Sequence, residues 1–157
     1  MALTNDELMV LEKIRSGYTQ MAEIMDFTMW GGERTNKVIE SLDKGGYILR
    51  TGLNGARFWE FLITQKGIDC LPPLSDEDEK LAHYGLCSFD VKVLEAVQSE
   101  KKGKTGDILS KHFDKEKDGL EAALSVSKMV RRGYLNDSGF FQQKIELSDK
   151  GKEILKA

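Results

Sequence analysis

Two histidines, His83 and His112, and two cysteines, Cys70 and Cys87, are the residues on which acid–base, nucleophilic or metal chemistry could be built in this 157-residue chain. Such chemistry needs a positioned set. No nucleophile elbow or Gly-rich phosphate loop accompanies these four, so no catalytic residues are expected. Cys70, His83 and Cys87 offer three ligands for one zinc, but a structural site takes four and no Cys-x-x-Cys pair is present. The thiols are expected to be free, with no metal and no cofactor. Gly31-Gly32 after Met29-Trp30 resembles a phosphate cradle, yet no Gly-Lys-Ser/Thr phrase stands directly after it, and turn geometry accounts for the pair. The other chemistry in the sequence is recognition. Arg34 and Asn36 have the donor geometry that reads guanine and adenine edges. Between residues 34 and 57 five basic side chains stand against two acidic ones, a local net of +3 in a chain of net −3.

The elements that position these residues come in two copies. Leu8, Leu11 and Ile14 form one helical face and Val91, Leu94 and Val97 another, at an offset of 83. Thr4 with Glu7 makes a capping box at the first start, and Ser88 is the cap candidate at the second. Thr19 to Phe27 and Thr105 to Phe113 follow at an offset of 86, the three extra residues falling in the polar stretch Glu100-Lys101-Lys102-Gly103-Lys104, read as a loop. A third helix ends at Leu42-x-x-x-Gly46-Tyr47 and again at Met129-x-x-x-Gly133-Tyr134, where glycine suits a left-handed C-cap. Each copy then has a hairpin pattern: Tyr47-Ile48-Leu49, a turn at Thr51 to Gly55, and Trp59, Phe61 and Ile63; then Tyr134-Leu135, a turn at Asn136 to Gly139, and Ile145 and Leu147. The hairpins end in matching phrases, Ile63-Thr64-Gln65-Lys66-Gly67 and Leu147-Ser148-Asp149-Lys150-Gly151, a hydroxyl N-cap opening a short closing helix.

The order helix, helix, helix, hairpin, short helix in about 70 residues resembles a winged helix-turn-helix, and the Leu-x-x-x-Gly-Tyr and Leu-Thr-x-Lys-Gly phrases are similar to those of its MarR-type branch. The expected fold is therefore mainly α with small β-hairpin wings, an α+β chain of two tandem winged helix-turn-helix units. Residues 1–71 form the first, 72–87 an acidic, Pro-containing connector with a short helix capped by Ser75, and 88–157 the second. A single MarR-type protein is one such unit flanked by dimerisation helices; this chain has two units instead.

The resemblance implies that the third helix of a unit enters the major groove while the wing touches backbone or minor groove. In the first unit that assigns DNA contacts to Arg34, Thr35, Asn36, Lys37 and Ser41 on the helix and to Arg50, Asn54 and Arg57 on the wing. Glu33, Glu40 and Asp43 nearby oppose phosphate contact. The aligned window 121–144 has a net of +2, and Lys128, Arg131, Arg132 and Lys144 are its secondary DNA-binding candidates. Phe140 and Phe141 near the second wing tip are candidates for protein contact. The expected function is DNA-binding transcriptional regulation led by the first unit, with double-stranded DNA as partner. The alternative is a tandem winged-helix adaptor that binds protein and does not read DNA. The two third helices differ at almost every exposed position, so a palindromic site would call for a homodimer joined through the second unit and the connector. With short apolar runs and no signal pattern in Met1 to Asp6, a cytoplasmic chain without membrane contact is expected.

Overall fold

A computed structural model describes residues 2–51, 60–139 and 142–156. The chain divides into two compact units, Met1–Leu86 and Cys87–Ala157. Among the described residues it is mainly helical, with small antiparallel sheets. No helix among them is long and apolar enough to cross a membrane.

In the first unit α1 (Asn5–Arg15) starts at the Thr4 capping box: the Glu7 amide donates to Thr4 Oγ1 and the Thr4 amide to Glu7 Oε1, each at 3.1 Å. Its buried face is Val10, Leu11 and Ile14, with Leu8 only half-buried. Then come α2 (Met21–Thr28), α3 (Gly32–Lys44) and a hairpin of β1 (Ile48–Thr51) and β2 (Glu60–Ile63), paired Ile48 to Ile63 and Thr51 to Glu60. α4 (Gln65–Asp69) and the connector helix α5 (Asp76–His83), capped by Ser75, complete the unit. Five of these elements meet in the core: Val10, Leu11 and Ile14 of α1, Ile24 of α2, Ile39 and Leu42 of α3, Ile48 of β1 and Phe61 of β2.

The second unit has α6 (Ser88–Glu100), β3 (Lys102–Lys104), α7 (Thr105–His112), α8 (Gly119–Arg132), β4 (Leu135–Ser138), β5 (Lys144–Leu147) and α9 (Asp149–Lys156). Two expectations are corrected here. The stretch 100–104 is not simply a loop, because β3 pairs with β5 to make a three-stranded sheet of order β3-β5-β4. Among the described residues the first unit has a single bridge, between Gln20 and Glu60, at the equivalent place, where the second unit with its three extra residues has a strand. Ser88 is not the cap of α6 but its first residue. The cap is Cys87, whose amide donates to Asp90 at 2.8 Å, an acceptor one residue too early to serve a cap at Ser88.

The two repeated phrases fasten to each other. After α3 the chain turns at Gly46 (φ +78°), and Tyr47 N–H returns to the Leu42 carbonyl. Thr64 Oγ1 accepts from the Gly67 amide at 3.2 Å and donates to the Gly46 carbonyl at 2.7 Å. Lys66 donates to the Gly45 carbonyl at 2.6 Å with its ammonium over the Tyr47 ring. The second unit repeats each contact: Ser148 between the Gly151 amide and the Gly133 carbonyl, and Lys150 on the Arg132 carbonyl above the Tyr134 ring. Helix-end carbonyls that α3 and α8 leave without partners are thereby bonded, and the base of each hairpin is fixed to the end of the third helix.

The connector is fastened to the first unit at both ends. Arg15 donates to the Pro72 carbonyl at 2.8 Å, and a Cβ at Gly17 (φ +100°) would stand 1.9 Å from the Gly85 carbonyl oxygen. Between these points α5 itself buries no residue.

Candidate nucleic-acid interface

The side of α3 away from the core exposes Glu33, Arg34, Asn36, Lys37, Glu40 and Ser41. Arg34 pairs with Asp6 at 2.9 Å and lies over the Trp30 ring. Lys37 stands 3.5 Å from Glu33, one turn back, and Ser41 donates to Glu7 Oε2 at 3.1 Å. Asn36 makes no side-chain hydrogen bond among the described residues. Arg50 of β1 is drawn to Asp43 at 3.2 Å and keeps only 20% of its side chain exposed. Three cations of the +3 window, Arg34, Lys37 and Arg50, are therefore each set beside a carboxylate. Exposed pairs of this kind are worth about 0–1 kcal/mol and exchange readily for another anion.

One predicted contact on α3 is overturned. Thr35 is fully buried, its hydroxyl donating to the Gly31 carbonyl at 3.1 Å, and it cannot reach a base. The repeat carried the signal, since at the offset of 87 Thr35 falls on Ala122, which is also fully buried. Asn54 and Arg57 lie outside the described residues, as do Phe140 and Phe141.

Lys128, expected to contact DNA from the second unit, is also overturned. It is fully buried on α8 and pairs with Asp90 of α6 at 2.5 Å. Asp90, likewise fully buried, further accepts from Ser125 Oγ and from the Cys87 amide. The offsets explain the placement. Asp90 corresponds to Glu7 and Lys128 to Ser41, so in each unit the acid that caps the first helix reaches the same position of the third. In the first unit this contact is an exposed hydroxyl–carboxylate bond; in the second it is a buried ion pair. Arg131 and Arg132 are half-buried and already engaged, and only Lys144 is fully exposed.

Ser99, Glu100 and His112 form a cluster that sequence reading did not find. Glu100 Oε1 faces Lys111 at 2.8 Å and His112 Nε2 at 3.0 Å, and these two partners hold its carboxyl below the usual glutamate range. Ser99 Oγ stands 3.4 Å from the same Nε2. A Ser-His-acid relay needs the acid on one ring nitrogen and the serine on the other. Here both contacts fall on Nε2, so the cluster joins α6 to α7 without forming a relay. Gly103-Lys104-Thr105 reads like the tail of a phosphate loop, but Gln98 stands where such a loop has its first glycine, and the three residues end β3 and open α7.

Among the described residues no group of three or more His, Cys, Asp or Glu side chains is placed to hold a metal. Both thiols are free, Cys70 exposed and Cys87 partly covered. Burial, reinforced by Asp90, pushes the Cys87 thiol from its usual 9.0 up to about 11. At pH 8 its reactive thiolate is then about 100-fold scarcer than that of an unperturbed cysteine. Titration with a chromogenic disulfide is expected to show one fast thiol, abolished by Cys70→Ser, and a second that reacts only in denaturant. Two fast equivalents in the native protein would contradict this.

No protein-family model matches the sequence, and no curated protein matches it.

Proposed function

We propose that the chain is a DNA-binding transcriptional regulator of tandem winged helix-turn-helix architecture, with α3 of the first unit as its reading helix. The observation that carries this is the joint exposure of Arg34, Asn36 and Lys37 in the first two turns of a helix whose opposite face is locked into the core. Arg34 can leave Asp6 for a guanine edge or a phosphate at small cost, and Asn36 has no partner to leave. The α8 helix supports no equal role, because Glu121, Ala123 and Leu124 occupy the matching positions and Lys128 is committed inward.

Fluorescence anisotropy with fragments of the source genome tests the reading. Binding is expected to weaken steeply with salt, log K falling by about 0.9 per phosphate neutralised for each decade of salt. On the selected site Arg34→Ala and Asn36→Ala should each cost about 1–3 kcal/mol, with a much smaller loss on random duplex. Thr35→Ser should leave affinity unchanged. Absence of binding to any fragment at low salt would end the proposal.

A second reading, a protein-binding adaptor, is favoured by one observation. Leu49 and Leu62 are directly paired across β1 and β2 and remain 55% and 48% exposed, an apolar pair on the outer face of the hairpin. Failure of duplex binding together with a folded protein would move the assignment to this reading.

A further inference from the structure

A recess of about 380 Å³ opens on the second unit between the end of α6, strand β5 and α9. Leu147 and Leu155 line it along with Lys101, Lys152 and Lys156, Gln98 and Glu146. None of the three lysines forms an ion pair among the described residues. Lys101 stands at the rim with an unusual backbone, φ +62° and ψ −65°, a conformation that is strained for a non-glycine residue. Three cations against one carboxylate around apolar side chains suit an occupant that brings both carboxylates and apolar surface. A bare phosphate backbone supplies only the first.

The chain itself carries such an occupant. Asp76, Glu77 and Glu79 in the first turn of α5 are exposed, and Pro72, Pro73 and Leu74 beside them supply apolar surface. The connector is fastened at Pro72 and Gly85, and α5 between them half-buries Asp78, Leu81 and Ala82 while its acidic first turn stays exposed on the other side. We propose that the acidic start of α5 docks into the lysine-rimmed recess of a second copy of this chain, Asp76 and Glu79, which share one helix face, opposite Lys152 and Lys156, which share another. Each copy has both surfaces, so two copies can associate through this contact. The contact is independent of whether the protein reads DNA, so either proposal can fail alone.

Sedimentation velocity on the full chain tests it through charge exchange. Wild type is expected to dimerise at about 100 μM, a concentration suited to modest interfaces, and to dissociate in about 1 M salt, where the screening length shrinks to ~3 Å. Lys152→Glu with Lys156→Glu, and separately Asp76→Lys with Glu79→Lys, should each weaken the dimer at least tenfold. An equimolar mixture of the two variants should recover it, since each reversed recess then meets a reversed helix. All four positions are exposed, and circular dichroism of each variant verifies folding. A monomeric wild type, variants that dimerise like wild type, or a mixture that stays monomeric would each overturn the proposal.

Discussion

Asp90→Ala is expected to destabilise the second unit by about 3–5 kcal/mol, the usual result of leaving one buried charge without its partner. Lys128 would keep its ammonium in the core, and Ser125 and the Cys87 amide would lose an acceptor at the same time. The network's value should not be read from that loss. Replacing both charges by apolar groups, Asp90→Leu with Lys128→Met, removes the desolvation cost along with the attraction and is expected to recover much of the loss, leaving the cost of the Ser125 hydroxyl and Cys87 amide that still lack an acceptor. The corresponding change in the first unit, Glu7→Ala, removes an exposed cap and should cost about 1 kcal/mol. Urea unfolding followed by circular dichroism measures all three. A loss below about 1 kcal/mol for Asp90→Ala would show that water reaches the pair.

The second large effect is expected at the glycines that close the repeated phrases. A Cβ on Gly151 would lie 2.2 Å from the Tyr134 carbonyl oxygen, and one on Gly67 would lie 2.4 Å from the Tyr47 carbonyl oxygen. In both cases the obstacle is backbone, which no rotamer change can move aside. Alanine at either position should cost about 3 kcal/mol, the upper end of what overpacking usually does. The loss should appear in the unfolding of the unit that carries the change. Gly106→Ala is the control, because a Cβ there meets nothing within 4 Å. Equal stability of Gly151→Ala and Gly106→Ala would refute the close approach.

Helix and hairpin order was readable because it rests on short-range signals: the Thr4-x-x-Glu7 cap, the 3.6-residue spacing of Leu11 and Ile14, and glycine before each tyrosine. Strand β3 was not, since Lys102-Gly103-Lys104 has no apolar alternation and is a strand only because β5 runs beside it. The candidate site divides the same way. The spacing that exposes Arg34, Asn36 and Lys37 is a property of one helix. Whether Lys128 faces solvent depends on Asp90, 38 residues away, and composition near Lys128 carries no trace of that partner. The alignment of the two copies did carry it, through Glu7 opposite Asp90 and Ser41 opposite Lys128, although a hydroxyl and an ammonium look unrelated until their common neighbour is known.

The fastening of Gly17 against Gly85 bears on how the gene can be cut. A first-unit fragment that stops at Leu71 follows the end of the short closing helix, yet it discards the strand of chain whose carbonyls meet Arg15 and Gly17 and leaves the turn after α1 uncovered. Leu86, fully buried, would be lost with it. The severable joint is the Leu86–Cys87 peptide, and it is asymmetric. Upstream truncation removes a latch from the first unit, whereas a second-unit fragment that starts at Ser88 forfeits the capping amide bonded to Asp90. Expression trials that bracket this joint by a few residues on either side would therefore sample two different kinds of damage.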